Sequence, residues 1–166
     1  MNDEPLWKRA EKRAYRLLTF RAHSEKELRE KLREGGFTVP VVDGVIEKCR
    51  KFGYLNDENF ARQRARELAV KRLAGNRRIA LDLRERGISE ELCRQVIAEV
   101  RAEISEEDAV ERLFRKKTKG IALAGMDDRE KTRLARSLMG KGFPAGLIIR
   151  KLKGTGEEGV HGNDGE

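Results

Sequence analysis

Residues 26–46 read KELREKLREGGFTVPVVDGVI, and the pattern returns at 77–97 (RRIALDLRERGISEELCRQVI) and at 131–152 (KTRLARSLMGKGFPAGLIIRKL). Anchored on Gly36, Gly87 and Gly142, the copies lie 51 and 55 residues apart and need no gap within the window. Leu28, Ile79 and Leu134 coincide, as do Leu32, Leu83 and Leu138. Past the glycine come Phe37, Ile88 and Phe143, then Val41, Leu92 and Leu147, then Ile46, Ile97 and Leu152. Five apolar columns in three copies mark an internal repeat. The first two columns are four residues apart, the spacing of an apolar helix stripe. The glycine supplies the left-handed residue that ends such a helix, and the Phe or Ile after it is expected to fold back on the last turn. A second helix follows each glycine.

Upstream, Ala14, Leu17 and Leu18 match Ala65, Leu68 and Ala69 at the offset of 51, which gives the first two copies a leading helix. Val110, Leu113 and Phe114 supply that helix in the third copy, out of register because the connection KGIALAGMDD (119–128) is longer. Ser24 with Glu27 and Asp127 with Glu130 are capping-box pairs, and Ser105 precedes three acids. Asn56 is placed to cap the helix carrying Phe60 and Ala61, and Pro144 suits a first turn. No apolar/polar alternation of strand type occurs. The expected fold is all-α: nine helices in three tandem three-helix repeats, 1–54, 55–103 and 104–153, stacked into an elongated, curved array. The stretch 154–166 (GTGEEGVHGNDGE), acidic and rich in Gly, is expected to be a disordered tail.

Composition agrees with thin helical layers. Of 166 residues, 40% are charged and only 38% hydrophobic, below the apolar share of an ordinary globular chain. Net charge is +8, but residues 1–153 hold all 37 Lys and Arg and 25 of the 29 acids, a net of +12. Such a body favours polyanions. No stretch approaches a membrane span, and MNDEPLWKRAEKRAY lacks the apolar core of a secretory signal. Cys49 and Cys93 are too few for a disulfide scaffold and suit a reducing cytoplasm. They fall on apolar faces and read as buried small hydrophobes.

Catalytic patterns are missing. There is no H-E-x-x-H, C-x-x-C or G-x-S-x-G, and no phosphate-binding loop; Gly140-Lys141-Gly142 reads as a helix stop. His23, beside Ser24, is expected at a helix end that welcomes a cation. The acids read as helix starts or i,i+4 partners of bases, as in Glu27 with Lys31 and Arg78 with Asp82.

The middle repeat holds the densest basic cluster: Arg62, Arg64, Arg66, Lys71, Arg72, Arg77, Arg78, Arg84 and Arg86, with three acids among them. Arg62 and Arg66 form an outward stripe at i,i+4. Lys71, Arg72, Arg77 and Arg78 surround one turn, where Gly75 and Asn76 are expected to leave the backbone unshielded. Guanidinium groups fork onto phosphates and carboxylates. The candidate contact residues are therefore Arg62, Arg66, Lys71, Arg72, Arg77, Arg78 and Arg84. The aromatic residues are assigned mostly to core columns, which argues against base stacking.

The run FGYLNDENFARQRARELAVKRLAGNRRIALDLRERGI (52–88) resembles the signature of the RecX regulatory proteins, bacterial modulators of the RecA recombinase. The shared elements are Gly-Tyr-Leu before a capping residue, Phe60-Ala61, the Arg-rich helix, and the stretch from Gly75 to Ile88. YRLLTFRAHSEKELREKLREGGF (15–37) is similar to the family's first unit. Asn56 stands where the family usually has an acid, and Asn caps a helix equally well. The resemblance implies a curved protein of three three-helix units lodged in the groove of the RecA–single-stranded DNA filament. It implies inhibition of ATP hydrolysis, strand exchange and filament extension, direct binding of single- or double-stranded DNA, a monomer, and neither cofactor, metal nor membrane. The residues alone leave open a stand-alone DNA- or RNA-binding module.

Overall fold

The computed structural model describes residues 4–154, so the proposed tail, Gly154 apart, lies outside the described residues. Among the described residues there are nine α-helices and no strand. They are α1 (Leu6–Phe20), α2 (Glu25–Glu34), α3 (Val39–Lys51), α4 (Asp57–Arg66), α5 (Asn76–Glu85), α6 (Glu90–Glu103), α7 (Glu106–Thr118), α8 (Asp128–Gly140) and α9 (Ala145–Lys153). A π-helical turn, Glu67–Lys71, continues α4, and a short 3-10 turn, Leu123–Gly125, lies within the long connection before α8. Helix is left between Lys51 and Asp57 and again between Glu103 and Glu106.

The glycine anchors behave as the spacing requires. Gly36, Gly87 and Gly142 take φ of +83°, +80° and +88°. In each copy the N–H after the glycine bonds to the carbonyl five residues earlier: Phe37 to Leu32, Ile88 to Leu83, Phe143 to Leu138. This pairing closes the helix with a left-handed residue and turns the next side chain inward. Ile88 and Phe143 are buried, and Phe37 packs on the first core. The Leu32/Leu83/Leu138 column is wholly buried. In the second helix the deepest column is Val42, Cys93 and Ile148, one place along from Val41, Leu92 and Leu147, of which only Leu147 is buried.

Caps follow the sequence closely. Ser24 with Glu27 and Asp127 with Glu130 form reciprocal capping boxes, Ser105 Oγ accepts from Asp108 N–H, and Asn56 Oδ1 accepts from Asn59 N–H. Pro144 stands one place earlier than expected, as the N-cap of α9.

Two compact units divide the chain: residues 4–67 with 80–100, and residues 68–79 with 101–154. In the first unit, α1, α2 and α3 pack on one another around Ala10, Ala14, Leu28, Leu32, Val42, Val45, Ile46, Cys49 and Leu55. In the second, α9 packs on both α7 and α8, with Val110, Leu113, Leu138, Phe143 and Ile148 buried.

Three expectations need correction. Four of the nine aromatic side chains depart from the core: Trp7, Phe20, Phe52 and Tyr54 are exposed, Phe20 ending α1 and the last two flanking the Gly53 turn. His23 is buried, its Nδ1 2.9 Å from the Arg21 carbonyl, and burial pushes the imidazole below its ordinary pKa, so the site disfavours a cation. The expected i,i+4 pairs are also replaced. Asp82 takes a two-pronged bond from Arg64 (2.8 Å at both oxygens) and one from Arg86 (2.9 Å). Glu27 pairs with Arg21 (3.0 Å) and Arg86 (3.4 Å). Only Arg64, from α4, brings a planar fork, which holds Asp82 more firmly than a single contact can. Arg86 meets Asp82 at the i,i+4 spacing on the C-terminal side, where the sequence pattern predicts Arg78 on the N-terminal side.

Candidate polyanion-binding turn

The segment 71–78 is built on an irregular helix end. The π-helical turn widens the chain over Glu67–Lys71, Leu73 takes φ +50°, and Ala74 N–H reaches back to the Leu68 carbonyl at 2.9 Å. Positive φ at a Leu is a costly conformation that surrounding contacts must impose. Those contacts are present. Arg101 donates to Asn76 Oδ1 (2.6 Å), to the Ala74 carbonyl (2.7 Å) and to the Ile104 carbonyl (3.3 Å). Burial pulls the Arg101 pKa down from its usual range. Glu106 accepts from the Asn76 backbone N–H at 2.7 Å and from its side-chain amide at 3.2 Å.

From the other side, the turn Lys141–Phe143 crosses the start of α5 backbone to backbone. Gly75 N–H bonds to the Lys141 carbonyl (2.8 Å), and Arg77 N–H to the Gly142 carbonyl (3.3 Å). A Cβ on Gly75 would overlap the Gly142 carbonyl group, and one on Gly142 would overlap the Arg78 backbone nitrogen. Gly75 and Asn76 therefore do not leave an unshielded backbone, contrary to expectation: Gly75 is buried and both N–H groups are engaged. An anion meeting this turn meets side chains, not amides.

Lys71, Arg72, Arg77 and Arg78 are exposed on that braced turn. They belong to one compact unit, together with Lys141, which sequence spacing alone does not connect to them. A signal existed. Gly75 aligns at offset 51 with the capping Ser24, so α5 starts without a side-chain cap and its amides must be satisfied elsewhere.

The remaining candidates, Arg62, Arg66 and Arg84, belong to the other unit. Arg62 is half-buried and already paired, at 2.9 Å to Glu99 and 3.3 Å to Glu58, and the Glu99 bond raises its pKa. Arg66 is exposed; Arg84 is exposed and reaches Glu90 at 3.5 Å. Arg64 and Arg86 are structural. With Arg21, Glu27, Phe60 and Glu67 they line a polar cavity of about 350 Å³ whose charges answer one another.

Comparison with known proteins bears on this arrangement. The family model described as RecX, first three-helix domain, matches residues 10–49, and that for the RecX second three-helix domain matches residues 56–97. The "Regulatory protein RecX" of Syntrophotalea carbinolica is 32% identical over 137 residues, 82% of this chain and 90% of that protein. This chain belongs to the RecX family of regulatory proteins. The protein of the same description from Amycolatopsis mediterranei is 34% identical over 90% of this chain and 85% of its own length. The crystal structure of RecX from Lactobacillus salivarius is similar with a TM-score of 0.68 at 20% identity, covering 89% of this chain and 97% of that one, a likeness of fold. The basic turn lies inside the second of the two matched RecX domains.

Proposed function

We propose that this RecX-family chain binds a RecA–single-stranded DNA filament in its groove and inhibits its ATPase, strand exchange and filament extension, making and breaking no bond itself. Membership of the RecX family carries this reading. The braced basic turn supports it, because a backbone already held by Arg101, Glu106 and Gly142 has little freedom left to lose when its four cations meet an anionic surface. Lys71, Arg72, Arg77 and Arg78 are the principal contacts. Arg66, Arg84 and Arg62 add to them, Arg62 on exchange of Glu99 or Glu58 and Arg84 on exchange of Glu90. The working division of the chain is three repeats, 1–54, 55–103 and 104–153, acting as a cytoplasmic monomer.

RecA-dependent ATP hydrolysis on single-stranded DNA, measured with increasing amounts of the purified chain, tests the proposal. Progressive inhibition, with the chain co-sedimenting with preformed filaments, is expected; unaffected hydrolysis at micromolar protein refutes it. The net +12 of residues 1–153 favours a second reading, a stand-alone nucleic-acid-binding module. That reading requires tight binding without RecA that weakens steeply with salt.

A further inference from the structure

Exposed aromatic rings follow one line across the first compact unit. Trp7 is 49% exposed, and Phe52 and Tyr54 are each 57% exposed. The Trp7 ring lies 5.9 Å from Lys48 Nζ, Lys48 pairs with Glu11, and Glu11 accepts from the Tyr15 hydroxyl at 2.6 Å. Tyr15 meets Tyr54 edge-on at 5.6 Å, and Tyr54 stacks with Phe52 at 6.1 Å and 26°. Trp7 and Tyr15 are eight residues apart on α1, about 12 Å along its axis. A depression of about 310 Å³ lies beside the strip, lined by Tyr15, Leu18, Thr19 and Tyr54.

Three of these rings face solvent on a chain whose aromatic content is only 5%, and Tyr15, half-buried on the first core, backs Tyr54. Their neighbours are cationic. α1 carries Lys8, Arg9, Lys12, Arg13 and Arg16 against the single acid Glu11, Lys8 Nζ is 5.6 Å from the Trp7 ring, and Lys51 precedes Phe52. Rings in series within a positive margin are what a single strand of nucleic acid requires, because every base offers a π-face and every linkage a negative charge. An apolar protein partner would gain nothing from that margin and would have to desolvate it.

We propose that Trp7, Tyr15, Tyr54 and Phe52 form a stacking platform for single-stranded nucleic acid, with phosphates held by Lys8 and Lys51, and by Lys12 on exchange of Glu4. The site is separate from the basic turn and operates without RecA, so its failure would leave the filament reading standing. Trp7 is the chain's sole tryptophan and reports directly. Titration of the full chain with oligothymidylate is expected to quench its fluorescence. Phe52→Ala is expected to weaken binding of the dye-labelled oligomer about 5- to 100-fold. Phe52→Trp is expected to retain affinity and Phe52→Leu to lose it, with melting temperatures unchanged. Trp7→Ala, at the other end of the strip, repeats the test should Phe52 variants misfold. The proposal is overturned if the oligomer does not bind, if both alanine variants bind like the parent, or if Phe52→Leu binds as well as the parent, which would show that no base stacks on this ring.

Discussion

Replacing Gly142 with Ala tests how the basic turn is held. At Gly36, φ is +83° and a Cβ would meet nothing within 4 Å. Gly36→Ala therefore costs only the left-handed conformation, about 1–2 kcal/mol. At Gly142, φ is +88° and the added carbon overlaps the Arg78 nitrogen and Cβ. The two turns must separate, and the bonds from Gly75 N–H to Lys141 and from Arg77 N–H to Gly142 are lost. At about 1 kcal/mol each, Gly142→Ala should cost about 3–4 kcal/mol in total. In a chain of this length about 1 kcal/mol moves the melting temperature by about 3 °C, so the expected losses are about 10 °C for Gly142→Ala and about 4 °C for Gly36→Ala. Gly75→Ala, which needs no left-handed conformation, isolates the crossing at about 2 kcal/mol. The Gly75→Ala/Gly142→Ala pair should fall short of additivity by a similar amount, since the crossing can be lost only once. Thermal and urea unfolding followed by helical circular dichroism read all four variants. Equal losses at Gly36 and Gly142, or strict additivity of the pair, would refute the backbone crossing as a structural brace.

Asp82→Ala should destabilise the chain by about 2–3 kcal/mol in the same assay, because Arg64 loses its two-pronged partner and Arg86 its shorter one, leaving them Glu67 and Glu27, whereas Arg84→Ala at an exposed pair should be nearly neutral. Lys71→Glu with Arg77→Glu should reduce RecA inhibition while leaving the melting temperature within a degree or two of the parent; unfolding of the pair would make those residues structural. Burial holds His23 below its ordinary pKa near 6.5, against the facing Glu27, which raises it, and with Arg21 and Lys31, which lower it further. The unfolded chain then binds the proton first, so His23's contribution is complete above about pH 6.5 and fades as pH falls below it. In His23→Gln the slope of stability against pH between 7 and 5 should flatten.

The repeat was legible because its glycines answer a backbone need that no other residue meets cheaply, and the apolar columns are tied to them. Side-chain partners were not legible. Asp82 lies four residues from both Arg78 and Arg86, and sequence spacing cannot say that Arg64, 18 residues away, reaches it with both prongs. The exposed rings were misplaced for a similar reason. Phe52 and Tyr54 sit one residue either side of Gly53, where the chain turns and helical periodicity no longer assigns a face. The basic turn was found by charge alone, but its support by Arg101, Glu106 and Gly142 lies beyond the reach of any local pattern.

The bracing of α5 by Glu106 and Gly142 limits how modular these repeats can be. A fragment stopped at Glu103 would still encode Lys71, Arg72, Arg77 and Arg78, yet the first residue of α5 would lack its acceptor and the glycine crossing would have no second strand of backbone. Grafting the middle repeat into another helical scaffold would transplant the charges without their geometry. Drift in the third repeat is thereby coupled to the placement of four cations in the second.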